Sequence, residues 1–145
     1  MMSHRDDVPS ASKVSLMNDP SNDHDNVDVV VPLVPRYAST LRTTAASLGA
    51  DAGFSIDEID DFKLALTEAF SLLVGRHGGK RARASFASAP SSLAVRLSLE
   101  SGLAITVEPD ELALAILRAV VDSYEIGNMA VTLIKRAAET SMLGS

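Results

Sequence analysis

FSIDEIDDFKLALTEAFSLLVGRHGG, residues 54–79, carries the strongest structural signal in the chain. Ser55-Ile56-Asp57-Glu58 has the form of a capping box, in which the Ser55 hydroxyl accepts from the Glu58 amide and the Glu58 carboxylate reaches back to Ser55. Phe54 and Ile59 flank it as a hydrophobic staple. Asp57, Glu58, Asp60 and Asp61 put negative charge at the positive end of the helix dipole, and Arg76, His77 and Lys80 lie near its negative end. Gly75, Gly78 and Gly79 supply stops. Between these signals, Ile59, Phe62, Leu66, Ala69, Phe70 and Leu73 recur at helical spacing and predict a core-facing stripe. Leu64, Glu68 and Leu72 fall on roughly the opposite side, with Asp61 one turn before Leu64. Two leucines flanking a carboxylate predict a second covered surface: a pocket wall, another layer or a partner.

The run Leu64-Ala65-Leu66-Thr67-Glu68-Ala69-Phe70-Ser71-Leu72-Leu73-Val74 resembles the first nucleotide motif of the bacterial anti-sigma factor serine-protein kinases. That family belongs with the gyrase, histidine-kinase and heat-shock chaperone ATPase domains. Its pattern is Glu-Ala-x-x-Asn, where the Glu is general base or water positioner and the Asn oxygen holds magnesium. Glu68 and Ala69 match it. Leu72 stands at the Asn position and has no oxygen to offer a hard cation.

At 145 residues and 46% hydrophobic content the chain is expected to form one core. With no Trp, that core is aliphatic, and Phe54, Phe62, Phe70 and Phe86 are its larger members. The absence of Cys excludes disulfides, thiolate metal sites and cysteine nucleophiles, and it fits a cytoplasmic location. His4, His24 and His77 are too scattered for a metal cluster. A net charge of -6 argues against general nucleic-acid affinity. No basic-then-apolar leader is visible. The run from Leu112 to Leu117 falls far short of the roughly 20 apolar residues of a membrane helix.

In chain order, residues 1–25 are Ser-, Asp- and Asn-rich and are expected to be a disordered acidic tail, or a regulatory segment that folds on a partner. Asn26 to Leu33 predicts a strand, and Pro35 opens a helix reaching about Gly49. After the central helix come three expected strands: Arg81 to Ala87, Leu93 to Leu99 and Leu103 to Val107. The second of these alternates cleanly, Leu93, Val95, Leu97 and Leu99 against Ala94, Arg96 and Ser98. Pro109 and Asp110 open a further helix with Leu112, Ile116 and Val120 on one apolar stripe and Leu117 and Val121 beside it, broken at Gly127-Asn128. Met129 to Lys135 predicts the last strand. Residues 26–138 then make one domain, and residues 139–145 a flexible end. The order predicts an α+β fold: a two-layer sandwich with two or three helices on one face of a mixed, mostly antiparallel sheet. This is the architecture of the family just named, and the resemblance extends over about Val29 to Arg136.

The family's second motif is Asp-x-Gly, whose Asp bonds the adenine amino group. Glu100-Ser101-Gly102 stands at that place, and it is equally an ordinary polar turn. The third element is a Gly-rich lid whose amides cradle phosphates. Here Leu103 to Leu114 holds no glycine, and Glu108, Asp110 and Glu111 would repel phosphates. Arg76, His77, Lys80, Arg81 and Arg83 form a basic cluster, either a contact for an acidic partner or phosphate, or a solvated helix end and strand blunted by charge.

With the motifs half present, altered and missing, the resemblance implies an anti-sigma-factor-like protein that binds a sigma factor or related regulator. No cofactor is expected, Glu68, Glu100 and Gly102 are remnants of the nucleotide site, and homodimerisation is open. The partner is a protein, with no nucleic acid and no membrane. The alternative is an active kinase using magnesium and ATP to phosphorylate an antagonist protein, with Glu68 as base and Glu100 reading adenine. An unrelated α+β protein with a coincidental Glu-Ala is the third reading.

Overall fold

The computed structural model describes residues 25–138. The expectations for residues 1–24 and for residues 139–145 lie outside the described residues. Strand β1 (Asp25–Pro32) leads through a single 3-10 turn (Pro35–Tyr37) into helix α1 (Ala38–Asp51). Helix α2 (Ile56–His77) follows, then strands β2 (Arg81–Ala89) and β3 (Ser92–Leu99). Helix α3 (Glu111–Val120), strand β4 (Ser123–Ile126) and strand β5 (Ala130–Arg136) complete the domain. The five strands form one sheet in the order β1-β2-β3-β5-β4. Every pair in it is antiparallel, in keeping with the mostly antiparallel sheet expected and without a parallel pair. Three helices on one face of this sheet make the α+β two-layer sandwich.

The capping box is present at α2: Ser55 N–H donates to Glu58 Oε1 at 2.8 Å, and Glu58 N–H donates to Ser55 Oγ at 3.1 Å. The predicted stripe is the core face. Phe62, Leu66, Ala69, Phe70 and Leu73 are fully buried, joined by Ala65, whereas Ile59 is only half-buried. They meet Phe86, Leu93, Val95, Leu97, Val131 and Leu133 from the inner face of the sheet. Gly49 lets α1 approach α2 closely, since a Cβ there would lie 3.1 Å from Ile59 Cγ1. Gly79, at φ +87, turns the chain out of α2 in a conformation that side chains disfavour. Its amide then donates to Leu33 O at 3.0 Å, tying the turn to the end of β1.

Two expectations fail between β3 and β5. Leu103 to Val107 is no strand: β3, which it would follow as a hairpin, is already paired by β2 on one side and β5 on the other. The helix expected to run to Gly127 stops at Val120, with the Val121 amide on Leu117 O at 3.2 Å. Residues 123–126 instead form β4, and Gly127-Asn128 lies in a β4–β5 hairpin. The buried side of α3 is the predicted Leu117 and Val121 side rather than the Leu112 stripe. Ala113 and Leu117 are buried, while Leu112 is 69% exposed.

Candidate functional site

The helical periodicity places Asp61, Glu68 and Leu72 on the flank of α2 that α3 packs against. Leu72 is half-buried there, as is Glu68, while Leu64 is 43% exposed. The second covered surface expected from sequence is therefore partial: its Leu72 side is sheltered and its Leu64 side faces water. Glu68 makes no hydrogen bond or ion pair among the described residues. One turn and more below it, Lys135 reaches in from the inner face of β5. Its Nζ donates to Val120 O, the last carbonyl of α3, at 2.9 Å and lies 3.8 Å from Asp61 Oδ2. A buried lysine stem ending on a helix carbonyl and a carboxylate thus joins α2, α3 and β5 at one point.

The stretch ahead of α3 where the family resemblance implies a lid, residues 103–110, is held to the scaffold at three places. The Ile105 amide donates to Asn128 O at 2.9 Å, and the Thr106 amide donates to His77 Nε2 at 3.0 Å. Arg76 bonds the Glu108 carboxylate. Ile105 is buried, so the segment is also anchored by an apolar side chain. Asp110 closes it by capping α3, its Oδ1 accepting from the Ala113 amide at 2.7 Å. This is a strap: backbone donors that a lid would turn toward phosphate are spent on Asn128 and His77.

Glu100 and Gly102 lie elsewhere. In the β2–β3 register Ala82 faces Leu99, so Glu100 stands opposite Arg81 beyond that pair. Alternation puts both on the sheet face turned away from the helices, with Arg83 and Ser98. Arg81 Nε donates to Glu100 Oε1 at 3.2 Å. An open basin of about 490 Å³ forms here, lined by Lys80, Arg81, Arg83, Glu100, Ser101 and Leu103. Gly102, at φ +83, makes the turn beside it. The structure therefore brings Glu100 together with the basic cluster and separates it from Glu68, which sits in the helix layer.

A magnesium ion needs several oxygen ligands. Leu72 supplies none, and among the described residues no three His, Cys, Asp or Glu side chains gather to hold a metal. With Leu72 at the motif's ligand position, the residues present do not fit a magnesium ion. Among the same residues, no helix is long and apolar enough to cross a membrane.

Two contacts escaped the sequence reading. Glu58 Oε2 accepts from the Ala138 amide at 2.7 Å, so the capping carboxylate also grips the end of the domain. These amide bonds, Ser55 first and then Ala138, hold the Glu58 carboxyl below its ordinary pKa, against the opposing effect of burial. His77 as an acceptor for the strap is the second. Its place at the helix end was legible, its partner 29 residues away was not.

No protein-family model matches the chain. Over 48 residues, 33% of this chain, it is 35% identical to the serine-protein kinase RsbW of Bacillus subtilis. The matched stretch spans 30% of that protein's length. The likeness supports the family that the Glu68-Ala69 motif resembles, over part of the chain.

Proposed function

We propose that this chain is an anti-sigma-factor-like regulatory protein that binds a sigma factor or a related transcription regulator, and that its nucleotide site is degenerate. The observation that carries the reading is Leu72, a hydrocarbon side chain sheltered on the α3 side of α2, one turn beyond Glu68, where the motif calls for a magnesium ligand. The strap supports it, because segment 103–110 is fastened to His77, Arg76 and Asn128. So does the separation of Glu100 from Glu68 by the sheet. The partial likeness to RsbW supports a protein partner, and acting on transcription places such a regulator in the cytoplasm. Association of two copies is part of the proposal and is read by sedimentation.

The test is a calorimetric titration with ATP and with ADP, each with and without magnesium. The expected result is no heat up to millimolar nucleotide, alongside measurable binding to a purified sigma factor. Micromolar, magnesium-dependent nucleotide binding would overturn the reading in favour of an active kinase. That second reading has two supports: the kinase named among its relatives, and a Glu68 carboxylate left unengaged among the described residues. Leu72→Asn separates them further. It restores one oxygen but neither lid nor adenine contact, so magnesium-dependent phosphorylation by this single variant is not expected.

A further inference from the structure

The basic cluster at the start of β2 has a chemistry that the regulatory reading does not yet use. The chain carries a net charge of -6, yet Lys80, Arg81 and Arg83 line one basin of about 490 Å³. Two of them hold carboxylates loosely. Arg81 pairs with Glu100 at 3.2 Å, with side chains 55% and 40% exposed. Arg83 Nη1 is 3.6 Å from Asp28 Oδ2, at 39% and 53% exposure. Pairs this wet contribute little, so an incoming carboxylate can exchange with either. Lys80 has no ion pair among the described residues, and neither does Arg96. The register pairs Arg83 with Ser98 and Ser85 with Arg96, so Arg96 is the diagonal neighbour of Arg83 on the same face. Like charges so placed repel one another, and an anion between them relieves the repulsion. On the rim, Leu103 is 62% exposed and gives an apolar contact beside the charges.

We propose that this basin docks an acidic, partly apolar segment of a partner protein, with carboxylates on Lys80, Arg81 and Arg83 and an aliphatic side chain against Leu103. The inference rests on the protein-binding reading above and names its surface. A protein segment suits the site better than nucleic acid. The native carboxylates Glu100 and Asp28 stand among the cations and oppose a uniform polyanion, as does the net negative charge.

The experiment uses the full chain and a fluorescein-labelled synthetic peptide alternating glutamate and leucine, read by polarisation. Saturable binding that weakens with added salt is expected. The double variant Arg81→Glu/Arg83→Glu should weaken it by about tenfold or more, and the milder Arg83→Gln by less. Arg118→Glu, an exposed position on α3, should leave it unchanged, and thermal melts confirm that each variant folds. The proposal is overturned if the peptide does not bind, or if charge reversal has no effect. It is also overturned if a short DNA duplex binds equally well, if binding appears only once residues 1–24 are deleted, or if the reversal instead splits a dimer. The two readings fail separately. Equal capture of a sigma factor by wild type and the reversed variant would sink the basin and leave the regulator. Peptide binding without any sigma-factor binding would do the opposite.

Discussion

The two faces of the sheet are built from the same strands and on opposite terms. The inner face presents Phe86, Val95, Leu97 and Leu133 to α2, all fully buried. The outer face carries Arg83, Ser85, Arg96, Ser98 and Thr132 around a small buried patch of Ala87, Ala94 and Ile134, and no described helix lies over it. Along β3 the contrast is one residue wide: Val95 is buried in the core and Arg96, its neighbour, points the other way. The inner face supplies the stability of the domain, because apolar area removed from water is the dominant favourable contribution to folding. The outer face buries a smaller apolar patch, and its exposed charges are left to carry recognition chemistry.

The comparison breaks first at the inner face. Phe70→Ala leaves a cavity under α2 and should cost about 3–5 kcal/mol in a denaturant titration. A loss under about 1 kcal/mol would mean that the inner face is not the source of stability. Glu58→Ala removes acceptors from the Ser55 and Ala138 amides and should cost about 1–2 kcal/mol at neutral pH. The pH dependence sharpens this. A carboxyl whose pKa is lowered in the folded state stabilises above its unfolded value and loses that contribution as pH falls through the folded one. The gap between wild type and Glu58→Ala should therefore close in acid. A gap independent of pH would show that the carboxylate charge plays no part.

Smaller effects follow. Asp110→Ala deletes the cap of α3 and should cost about 1 kcal/mol by the same titration. Arg96→Ser, on the outer face and without an ion pair among the described residues, should change stability by less than about 0.5 kcal/mol. If Arg96→Ser cost as much as Phe70→Ala, the division between the faces would be wrong.

The inner face was legible in the sequence for a physical reason: period 3.6 in α2 and period 2 in β3 reflect burial on one side. Ser55 and Glu58 were legible because a capping box is local. Ala65 escaped the stripe since a small side chain gives a weak hydropathy signal. The expected strand at Leu103 to Val107 has some alternation, with Ile105 buried and Val107 half-buried against exposed Ala104 and Thr106. Alternation, however, reports which way side chains point and not whether a ladder partner is free. Ser123 to Ile126 was missed because Gly127-Asn128 marks a helix stop and a hairpin turn equally well. The Arg81–Glu100 pair needs the β2–β3 register, which no single stretch of sequence contains. Likewise the separation of Glu100 from Glu68 depends on which side of a strand end a residue occupies.

The Glu58 carboxylate has a consequence for where the chain can be cut. Its two oxygens bridge the first turn of α2 and the Ala138 amide, residues 80 positions apart. Ending a recombinant fragment at Ala138 keeps that clasp closed. Ending it at Arg136, where the last strand stops, leaves one oxygen without its donor and the Ala137 amide missing from Ser91 O. The clasp therefore lies two residues beyond β5, and a fusion joined at residue 136 would begin by loosening the start of α2.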